Sequence, residues 1–420
     1  MAPPVSTDLP MAYPAAGLSE QNRKEISATG PLLDWLIHPT SKKTFFEQYF
    51  EKQALLIKRD RADYFKELLS LDEIDRVITT LDRGTDEIIL KNASREVTEA
   101  DYTVDGSIDV AKLYQLFGEG STITLAFLDT VLPQLARFCR GLESEFTCPL
   151  QANIYLTPPG AQGAKVHYDT HDVFVLQVAG SKKWTIYGTP VELPLAGQDF
   201  DASIHDLGKP TLEFELEAGD VAYIPRGAGH DARSTDTVSL HITAGILRFT
   251  WTDLLLEFVA NASLRDPAFR KSLPPGFART GFDREQVRER IRGLLQRVSQ
   301  SGDFDAALDR FVSEFFSRSR PLLRGQMAQI AALEKLSAES VAGVREGAIF
   351  RMDADENSVA IECYGRRITF PVQAREAVEF ALTNSRFAIR ELPGDLDDAG
   401  KLVIVRRLIR EGLVEAVLAE

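Results

Sequence analysis

The chain of 420 residues is too long for a single hydrophobic core, so we expect two or three domains. Its formal net charge of −14 argues against sequence-independent nucleic-acid binding by the whole chain, because such binding requires basic surface. Three scattered cysteines, Cys139, Cys148 and Cys363, exclude a disulfide framework and fit a reducing compartment. No stretch has the apolar length of a membrane span and the N-terminus lacks signal-peptide features, so we expect a cytoplasmic protein without membrane contact.

The first 150 residues predict a tail followed by helices and a few strands. Residues 1–28 are rich in Pro, Ala, Ser and polar residues, which predicts a disordered tail. Helical periodicity begins at Pro31, and a further helix is predicted over 61–69. Strand-like segments such as 123–127 precede a helix predicted over 131–143.

Short strands separated by Gly and Pro follow, from Gln151 to Arg248. The predicted strands are 152–156, 173–178, 184–187, 212–216, 221–224 and 239–247. Many short strands at this spacing are typical of β-sandwiches and barrels, including jelly rolls and cupins. The sequence therefore predicts a β core in the middle of the chain.

Beyond Thr250 the apolar period becomes helical, with helices predicted over 283–299 and 304–316. This all-α block is either a packing subdomain or a dimerisation module. The last hundred residues mix helices and strands in a pattern like a winged helix. Its basic residues Arg406, Arg407 and Arg410 have acidic neighbours, so we expect a structural or protein-binding role and no direct DNA binding.

His167 and Asp169 form an H-x-D motif before the apolar strand predicted at 173–178. Residues i and i+2 of a strand face the same way, so we expect both side chains to point together into the barrel. His230 follows a Gly- and Pro-containing turn and completes a set of two histidines and one carboxylate. Such a set leaves coordination positions open and is typical of non-haem Fe(II) oxygenases, although a zinc hydrolase uses similar ligands.

Each candidate residue also has a purely structural interpretation. H-x-D alone is a weak signal, and its context strengthens it. Lys182 lies where a strand could direct its ammonium at an anion, or it is solvated beside Lys183. His230 is otherwise a loop histidine, and His241 a core histidine of the strand over 239–247.

In combination these motifs resemble the JmjC-type ribosomal oxygenases of the cupin-4 group, which are Fe(II)- and 2-oxoglutarate-dependent protein hydroxylases. The resemblance covers nearly everything after residue 30. It is carried by Asn153 to Pro158, His167-Tyr168-Asp169, Val173 to Gln177, Gly180-x-Lys182-x-Trp184, Gly219-Asp220, Tyr223-x-Pro225-Arg226-Gly227-x-x-His230 and His241-x-Thr243.

The resemblance implies a mainly β catalytic core with helices, folded as a double-stranded β-helix (the cupin or JmjC jelly roll). This catalytic domain, with a helical lead-in, would span 29–249. An all-α dimerisation region would follow over 250–320, and a winged-helix-like domain over 321–420. The protein is then expected to form a homodimer.

The resemblance also implies roles for individual residues. His167, Asp169 and His230 would bind Fe(II), and Lys182 would bind the distal carboxylate of 2-oxoglutarate, a charge-assisted contact. The remaining co-substrate contacts would come from Asn153, Tyr155 and Thr243. The resemblance leaves the roles of His171 and His241 open.

The implied reaction consumes 2-oxoglutarate and O2 and hydroxylates a side chain, Arg or His, of a basic protein substrate, with a ribosomal protein expected. The acidic chain suits a basic partner. Two other enzyme classes are a small-molecule-tailoring 2-oxoglutarate oxygenase and a histone-type lysine demethylase. The non-enzymatic alternative is a cupin scaffold that binds metal without catalysis.

Overall fold

The computed structural model describes residues 32–301 and 303–418, so the tail predicted over 1–28 lies outside the described residues. Helices lie mainly before and after a β-rich centre. They are α1 (Leu32–Ile37), α2 (Lys42–Thr44, continued by a π-helical turn over Phe45–Tyr49), α3 (Leu71–Thr80), α4 (Val110–Gly118), α5 (Pro133–Phe146), α6 (Trp251–Arg265), α7 (Glu285–Ser301), α8 (Phe304–Arg318), α9 (Gln326–Ala332), α10 (Arg375–Thr383) and α11 (Asp398–Arg410).

Local capping explains where two of these helices begin. At α3 the Ser70 hydroxyl accepts from the Glu73 N–H, and the Glu73 carboxylate accepts from the Ser70 N–H. Thr250 and Asp253 form the same reciprocal pair at the start of α6, where the β core ends. None of the helices within the described ranges has the length and apolar character needed to cross a lipid bilayer.

The helix predicted over 61–69 is wrong, because this segment is a series of tight turns. The Tyr64 N–H donates to the Arg61 carbonyl, and the Leu68 N–H donates to the Phe65 carbonyl. The rings of Tyr64 and Phe65 pack on Trp35, at centroid distances of 5.0 and 5.6 Å. Tertiary packing therefore overrides the local helical preference.

The strands are β1 (Leu55–Ile57), β2 (Ile88–Lys91), β3 (Thr103–Val104), β4 (Ser107–Ile108), β5 (Thr122–Leu125), β6 (Leu150–Thr157), β7 (Asp172–Ala179), β8 (Ser181–Ile186), β9 (Leu212–Glu217), β10 (Val221–Ile224), β11 (His230–Ser234), β12 (Ser239–Ile246), β13 (Val341–Val344), β14 (Arg351–Ala354), β15 (Ser358–Cys363), β16 (Arg366–Pro371), β17 (Phe387–Ala388) and β18 (Val414–Ala416). A seven-stranded antiparallel sheet has the order β1-β10-β7-β12-β6-β5-β2. A three-stranded antiparallel sheet has the order β11-β8-β9. The predicted β core is confirmed.

The two sheets enclose an apolar space, and β7 shows how the sequence builds it. Val173 and Val175 belong to the cluster that includes Trp184 of the smaller sheet. Phe174 and Leu176, which alternate with them, belong to the larger core that the N-terminal helices cover. Both faces of β7 are thus buried, which explains its nearly continuous apolar sequence.

The C-terminal part of the chain has a core of its own. Residues between Leu333 and Ala416 form one buried cluster, which includes Val359 of β15 and Leu408 of α11. The helices α6, α7 and α8 share only a small buried cluster, formed by Phe258, Val298 and Ala307. The β core and the C-terminal part therefore carry most of the buried apolar surface.

Candidate active site

His167, Asp169 and His230 converge at one end of the space between the two sheets. One potential ligand atom from each lies within 4.8 Å of the others. The His167 Nε2 is 3.8 Å from one carboxylate oxygen of Asp169, and the His230 Nε2 is 3.7 Å from the other. The cluster therefore has the spacing at which one metal ion could contact all three residues.

The expectation that His167 and Asp169 share a strand is wrong. The strand β7 begins only at Asp172, and His167 forms an isolated antiparallel bridge with His230. In that bridge the His167 N–H donates to the His230 carbonyl at 3.1 Å, and the His230 N–H donates back at 2.7 Å. The Gly227 N–H also donates to the Asp169 carbonyl at 3.0 Å. Backbone pairing between two distant segments, not strand alternation, brings the side chains together.

The turn before His230 requires a glycine at position 227. Gly227 has a φ of 81°, a conformation that L side chains rarely adopt. A Cβ there would lie 2.3 Å from the Val191 carbonyl oxygen, so space as well as backbone angle excludes a side chain. The close approach fixes the position of His230 at the start of β11.

Hydrogen bonds to the backbone orient both imidazoles. The His167 Nδ1 is 2.8 Å from the Lys165 carbonyl oxygen, and the His230 Nδ1 is 3.0 Å from the Ala228 carbonyl oxygen. A carbonyl oxygen only accepts, so each Nδ1 carries a proton, and Nε2 is the atom of each ring that faces Asp169. Burial, with the nearby His230, lowers the pKa of His167. Two imidazoles oriented in this way beside a carboxylate suit a divalent transition metal.

A narrow cavity of about 80 Å³ continues from this cluster into the barrel. Three residues that line it carry a buried polar atom without a hydrogen-bond partner in the described part of the chain. These atoms are the Thr124 hydroxyl, the Trp184 Nε1 and the His241 Nδ1. Buried polar groups are normally satisfied, so the cavity has the chemistry of a site for a small polar ligand.

Lys182 extends into the same cavity from β8, and its side chain is 4% exposed. Its ammonium donates to the Thr157 hydroxyl at 3.0 Å, and no carboxylate of the described residues pairs with it. Burial lowers the pKa of Lys182 to about 7. A buried ammonium without a counter-ion is costly, so this group is suited to receive an anionic ligand. The interpretation of Lys182 as solvated applies instead to Lys183, which is exposed.

Of the other residues predicted for the site, Tyr155 and Thr243 line the cavity, and so does His241. The Tyr155 and His241 rings stack at 4.9 Å with 4° between their planes. Asn153 is not among the lining residues, and its amide oxygen accepts from the Phe127 N–H at 3.1 Å.

His171 does not line this cavity either. It packs over Gly245, where an added Cβ would lie 2.7 Å from the imidazole.

Sequence reasoning missed the contribution of β2 and β5 to the site. Lys91, Thr122 and Thr124 line the cavity from these strands, which lie at one edge of the larger sheet. The sequence does place Thr122 and Thr124 on the same face of β5. Assigning that face to the cavity requires the knowledge that β5 pairs with β6. Lys91 also lines a broader adjacent cleft of about 630 Å³, which borders His167. The narrow cavity is thus open to a wider approach.

Residues 127–254 match the family model described as the JmjC domain. The chain contains a JmjC domain. This domain includes both sheets' central strands and every residue of the His-Asp-His cluster. The predicted resemblance to JmjC proteins is confirmed.

Curated relatives of this JmjC protein have oxygenase names. It is 31% identical over 310 residues to the bifunctional lysine-specific demethylase and histidyl-hydroxylase NO66 of Drosophila mojavensis, which covers 69% of this chain and 35% of the relative. It is 32% identical over 358 residues to ribosomal oxygenase 1 of Danio rerio, which covers 79% of this chain and 62% of the relative. The chain therefore spans less than two thirds of the length of either relative.

The JmjC fold is also similar to that of a solved structure, the ribosomal oxygenase YcfD of Escherichia coli in complex with cobalt and 2-oxoglutarate. The TM-score is 0.51 at 17% identity, and the match covers 90% of this chain and 98% of YcfD. This likeness concerns the fold, and it extends beyond the JmjC domain into the flanking helical regions.

Proposed function

We propose that this JmjC protein is an Fe(II)- and 2-oxoglutarate-dependent dioxygenase that hydroxylates a side chain of a protein substrate. One observation carries the proposal: the His-Asp-His cluster and the buried ammonium of Lys182, which has no carboxylate partner among the described residues, line a single cavity. Bound Fe(II) would supply the redox chemistry that couples 2-oxoglutarate decarboxylation by O2 to C–H hydroxylation. The names of the relatives and the ligands of YcfD support this choice over a zinc hydrolase.

In this proposal His167, Asp169 and His230 hold the metal through the atoms that already face one another. Lys182 binds the distal carboxylate of 2-oxoglutarate, and the pairing would offset the cost of burying its charge. The unsatisfied groups of Thr124, Trp184 and His241 would complete the hydrogen bonds to the co-substrate. The apolar lining, which includes Val173 and Val175, would exclude water from the reacting centre. Tyr155 and Thr243 remain proposed contacts, and so does Asn153, whose amide oxygen already accepts from the Phe127 N–H.

The shape of the approach supports a polypeptide substrate over a small molecule. The inner cavity of about 80 Å³ adjoins the cleft of about 630 Å³, and the two share Lys91, Gly163, Ala164 and His167. An extended segment could lie in the wide cleft and direct one side chain towards the metal cluster. The relatives are named as a ribosomal oxygenase and a histidyl-hydroxylase, so we propose a ribosomal protein as substrate and Arg or His as the target.

The charge of this cleft does not favour a basic segment. Its lining includes the basic residues Lys91, Arg95 and Lys165 but only one acidic residue, Glu96. Complementarity between the acidic chain and a basic substrate would therefore have to come from surface outside the cleft. The residues that flank the target in the substrate are then expected to be uncharged or acidic.

We further propose that the block over 250–320 forms a homodimer interface. Its helices expose large apolar side chains, with Trp251 76%, Leu256 65% and Leu264 72% accessible. The small internal cluster of α6, α7 and α8 leaves these residues uncovered. Several large apolar side chains exposed on one small helical block suit a protein interface, so a second copy would cover them.

The remaining proposals concern the C-terminal part and the division of the chain. We propose that 321–420 is a winged-helix-like domain with a structural or protein-binding role, since its separate core and the hairpin of β15 and β16 suit that architecture. Glu411 pairs with Arg366 and Arg407, which leaves little free basic surface on α11 for DNA. The domain limits 1–28, 29–249, 250–320 and 321–420, and the cytoplasmic location, stay predictions.

The decisive experiment measures two products. The Fe(II)-loaded protein is incubated with 2-oxoglutarate, O2 and ribosomal-protein peptides, and succinate and peptide mass are both followed. We expect succinate formation coupled to the gain of one oxygen atom by a peptide. His167→Ala should abolish both signals, whereas His38→Ala, at an exposed histidine, should leave them unchanged. Succinate formation by the His167→Ala protein would refute the site, and a metal-loaded wild type without any turnover would favour the scaffold alternative.

A further inference from the structure

A second cavity, of about 320 Å³, lies where α5 faces the C-terminal part of the chain. Its walls come from residues 129–140 at and before the start of α5, the segment 320–324 that follows α8, residues 345 and 346 after β13, and Glu415 of β18. It shares no lining residue with the candidate active site. Ligand sites occur preferentially at such junctions between separately packed cores.

The charge of this junction cavity is opposite to that of the chain. Three acidic residues line it: Asp129, Glu346 and Glu415. One carboxylate oxygen of Asp129 already accepts from the Ala152 N–H at 2.9 Å. The five basic lining residues are Arg137, Arg140, Arg320, Arg324 and Arg345. Arg140 is already paired with Glu143, which lies outside the lining, so four arginines face these three carboxylates. In a chain with a formal charge of −14, this small local excess of arginine favours an anion.

Several of these arginines are not needed for the fold. Arg320 and Arg324 are exposed, and no carboxylate in the described part of the chain pairs with either. Arg137 approaches Glu346 only at 3.9 Å. Arg345, in contrast, is 4% exposed and already pairs with Glu415 at 3.3 Å and donates to Gln326 at 2.6 Å, although its Nε is buried without a partner in the described part of the chain. The cavity thus combines one fixed, paired guanidinium with the exposed guanidinium groups of Arg320 and Arg324.

The rest of the wall is apolar and includes a helix terminus. Val131, Leu132 and Pro133 lie on one side, and Pro321 and Leu322 lie on the other. Leu132 is the N-cap of α5 and offers no side-chain acceptor to the N–H groups of the first turn. Those groups add partial positive charge to the arginines. The walls therefore suit a ligand with an anionic end and a flat apolar body.

We propose that this junction cavity binds an organic phosphate of the nucleotide class. Arginine guanidinium groups pair with phosphate oxygens in bidentate fashion and stack on ring faces, so one set of side chains serves both parts of the ligand. The phosphate would contact Arg320, Arg324 and Arg137, and the ring would lie between the proline and leucine side chains. The proposal is independent of the oxygenase activity, because the two sites share no residue.

Isothermal titration of the full chain, without divalent metal, tests the proposal with three probes: ADP, adenosine and pyrophosphate. We expect ADP to bind and pyrophosphate to bind more weakly than ADP. Adenosine should bind at least about tenfold more weakly than ADP, because it lacks the phosphates and the binding free energy of their charged hydrogen bonds is lost. The paired substitution Arg320→Gln and Arg324→Gln should weaken ADP about tenfold or more. Both residues are exposed and have no carboxylate partner within residues 32–301 and 303–418, so an unchanged melting temperature should show that the fold persists.

Two control variants make the outcomes specific. Arg367→Gln removes one positive charge from an exposed position outside the cavity and should leave ADP affinity unchanged. Asp169→Ala removes a residue of the candidate metal site and should also leave ADP affinity unchanged. The proposal is overturned if the paired substitution has no effect, if adenosine binds as tightly as ADP, or if Asp169→Ala abolishes ADP binding.

Discussion

Replacing Lys182 by Met should stabilise the free protein and impair co-substrate binding. The ammonium lies inside the barrel with one neutral hydroxyl as its partner, that of Thr157. Met fills a similar volume without a charge, so the barrel would lose an unfavourable group at little packing cost. The same change would remove the only charged contact proposed for the distal carboxylate of 2-oxoglutarate.

The pKa of Lys182 sets the size of the effect. Lowering this pKa from 10.5 to about 7 by burial corresponds to about 5 kcal/mol, at about 1.36 kcal/mol per pH unit. A lysine with a depressed folded pKa binds more protons when the chain is unfolded, so stability rises from pH 7 to 10.5. Allowing for the lost hydrogen bond, we expect Lys182→Met to gain about 1–3 kcal/mol at pH 7. The loss of the charged contact should weaken 2-oxoglutarate about ten- to hundredfold.

Urea unfolding at pH 7 and pH 9, without metal or co-substrate, measures the stability change, and calorimetry of the metal-loaded protein measures 2-oxoglutarate affinity. Lys183→Met is the matched control, because Lys183 is the next residue of β8 and is exposed. The wild type and Lys183→Met should gain stability between the two pH values, whereas Lys182→Met should not. A Lys182→Met protein that is less stable at both pH values and binds 2-oxoglutarate normally would refute this reasoning.

Three further predictions concern the metal, the dimer and the turn. Asp169→Ala should weaken Co(II) binding at least about tenfold, as measured by visible absorption titration, because one of three converging ligands is lost. Trp251→Ser with Leu256→Ser should shift the mass in sedimentation at micromolar concentration from dimer to monomer; a wild type that is already monomeric would contradict the interface. Gly227→Ala should lower the unfolding free energy by about 1–3 kcal/mol more than Gly197→Ala in urea titrations, since both have positive φ but only Gly227 has a carbonyl oxygen 2.3 Å from the new Cβ. An equal loss of unfolding free energy in the two variants would mean that the positive φ, and not the close carbonyl oxygen, accounts for the destabilisation.

The candidate metal cluster could be predicted because each of its residues stands in a short, recognisable sequence motif. A histidine and an aspartate two positions apart, followed by an apolar strand, identified His167 and Asp169. The Gly- and Pro-containing turn before it identified His230. The proposed reason for their convergence was nevertheless wrong. Strand alternation is a rule about one segment, whereas the bridge between His167 and His230 joins two segments that only the folded sheet brings together.

The rest of the site depends on contacts that sequence spacing does not encode. Thr124 faces the cavity because β5 pairs with β6 opposite Tyr155, and that pairing is not visible in either strand alone. Lys91 reaches the cavity only because β2 pairs with β5. The sequence also does not show which lysine is buried. Lys182 and Lys183 are adjacent, and the pairing of β8 in the sheet determines that Lys182 points inward. A sequence therefore predicts ligand types more readily than the enclosure around them.

The two anion sites proposed for this chain differ in how they should respond to pH. The free Lys182 has its pKa near 7, so at higher pH the lysine is neutral and binding of 2-oxoglutarate must include uptake of a proton. The dissociation constant of 2-oxoglutarate should therefore rise up to about tenfold per pH unit above pH 7. The arginines of the junction cavity stay protonated throughout this range, so the affinity for ADP should be nearly constant between pH 7 and 9. Parallel calorimetry of both ligands tests this, and a common pH dependence would contradict the assignment of one site to lysine and the other to arginine.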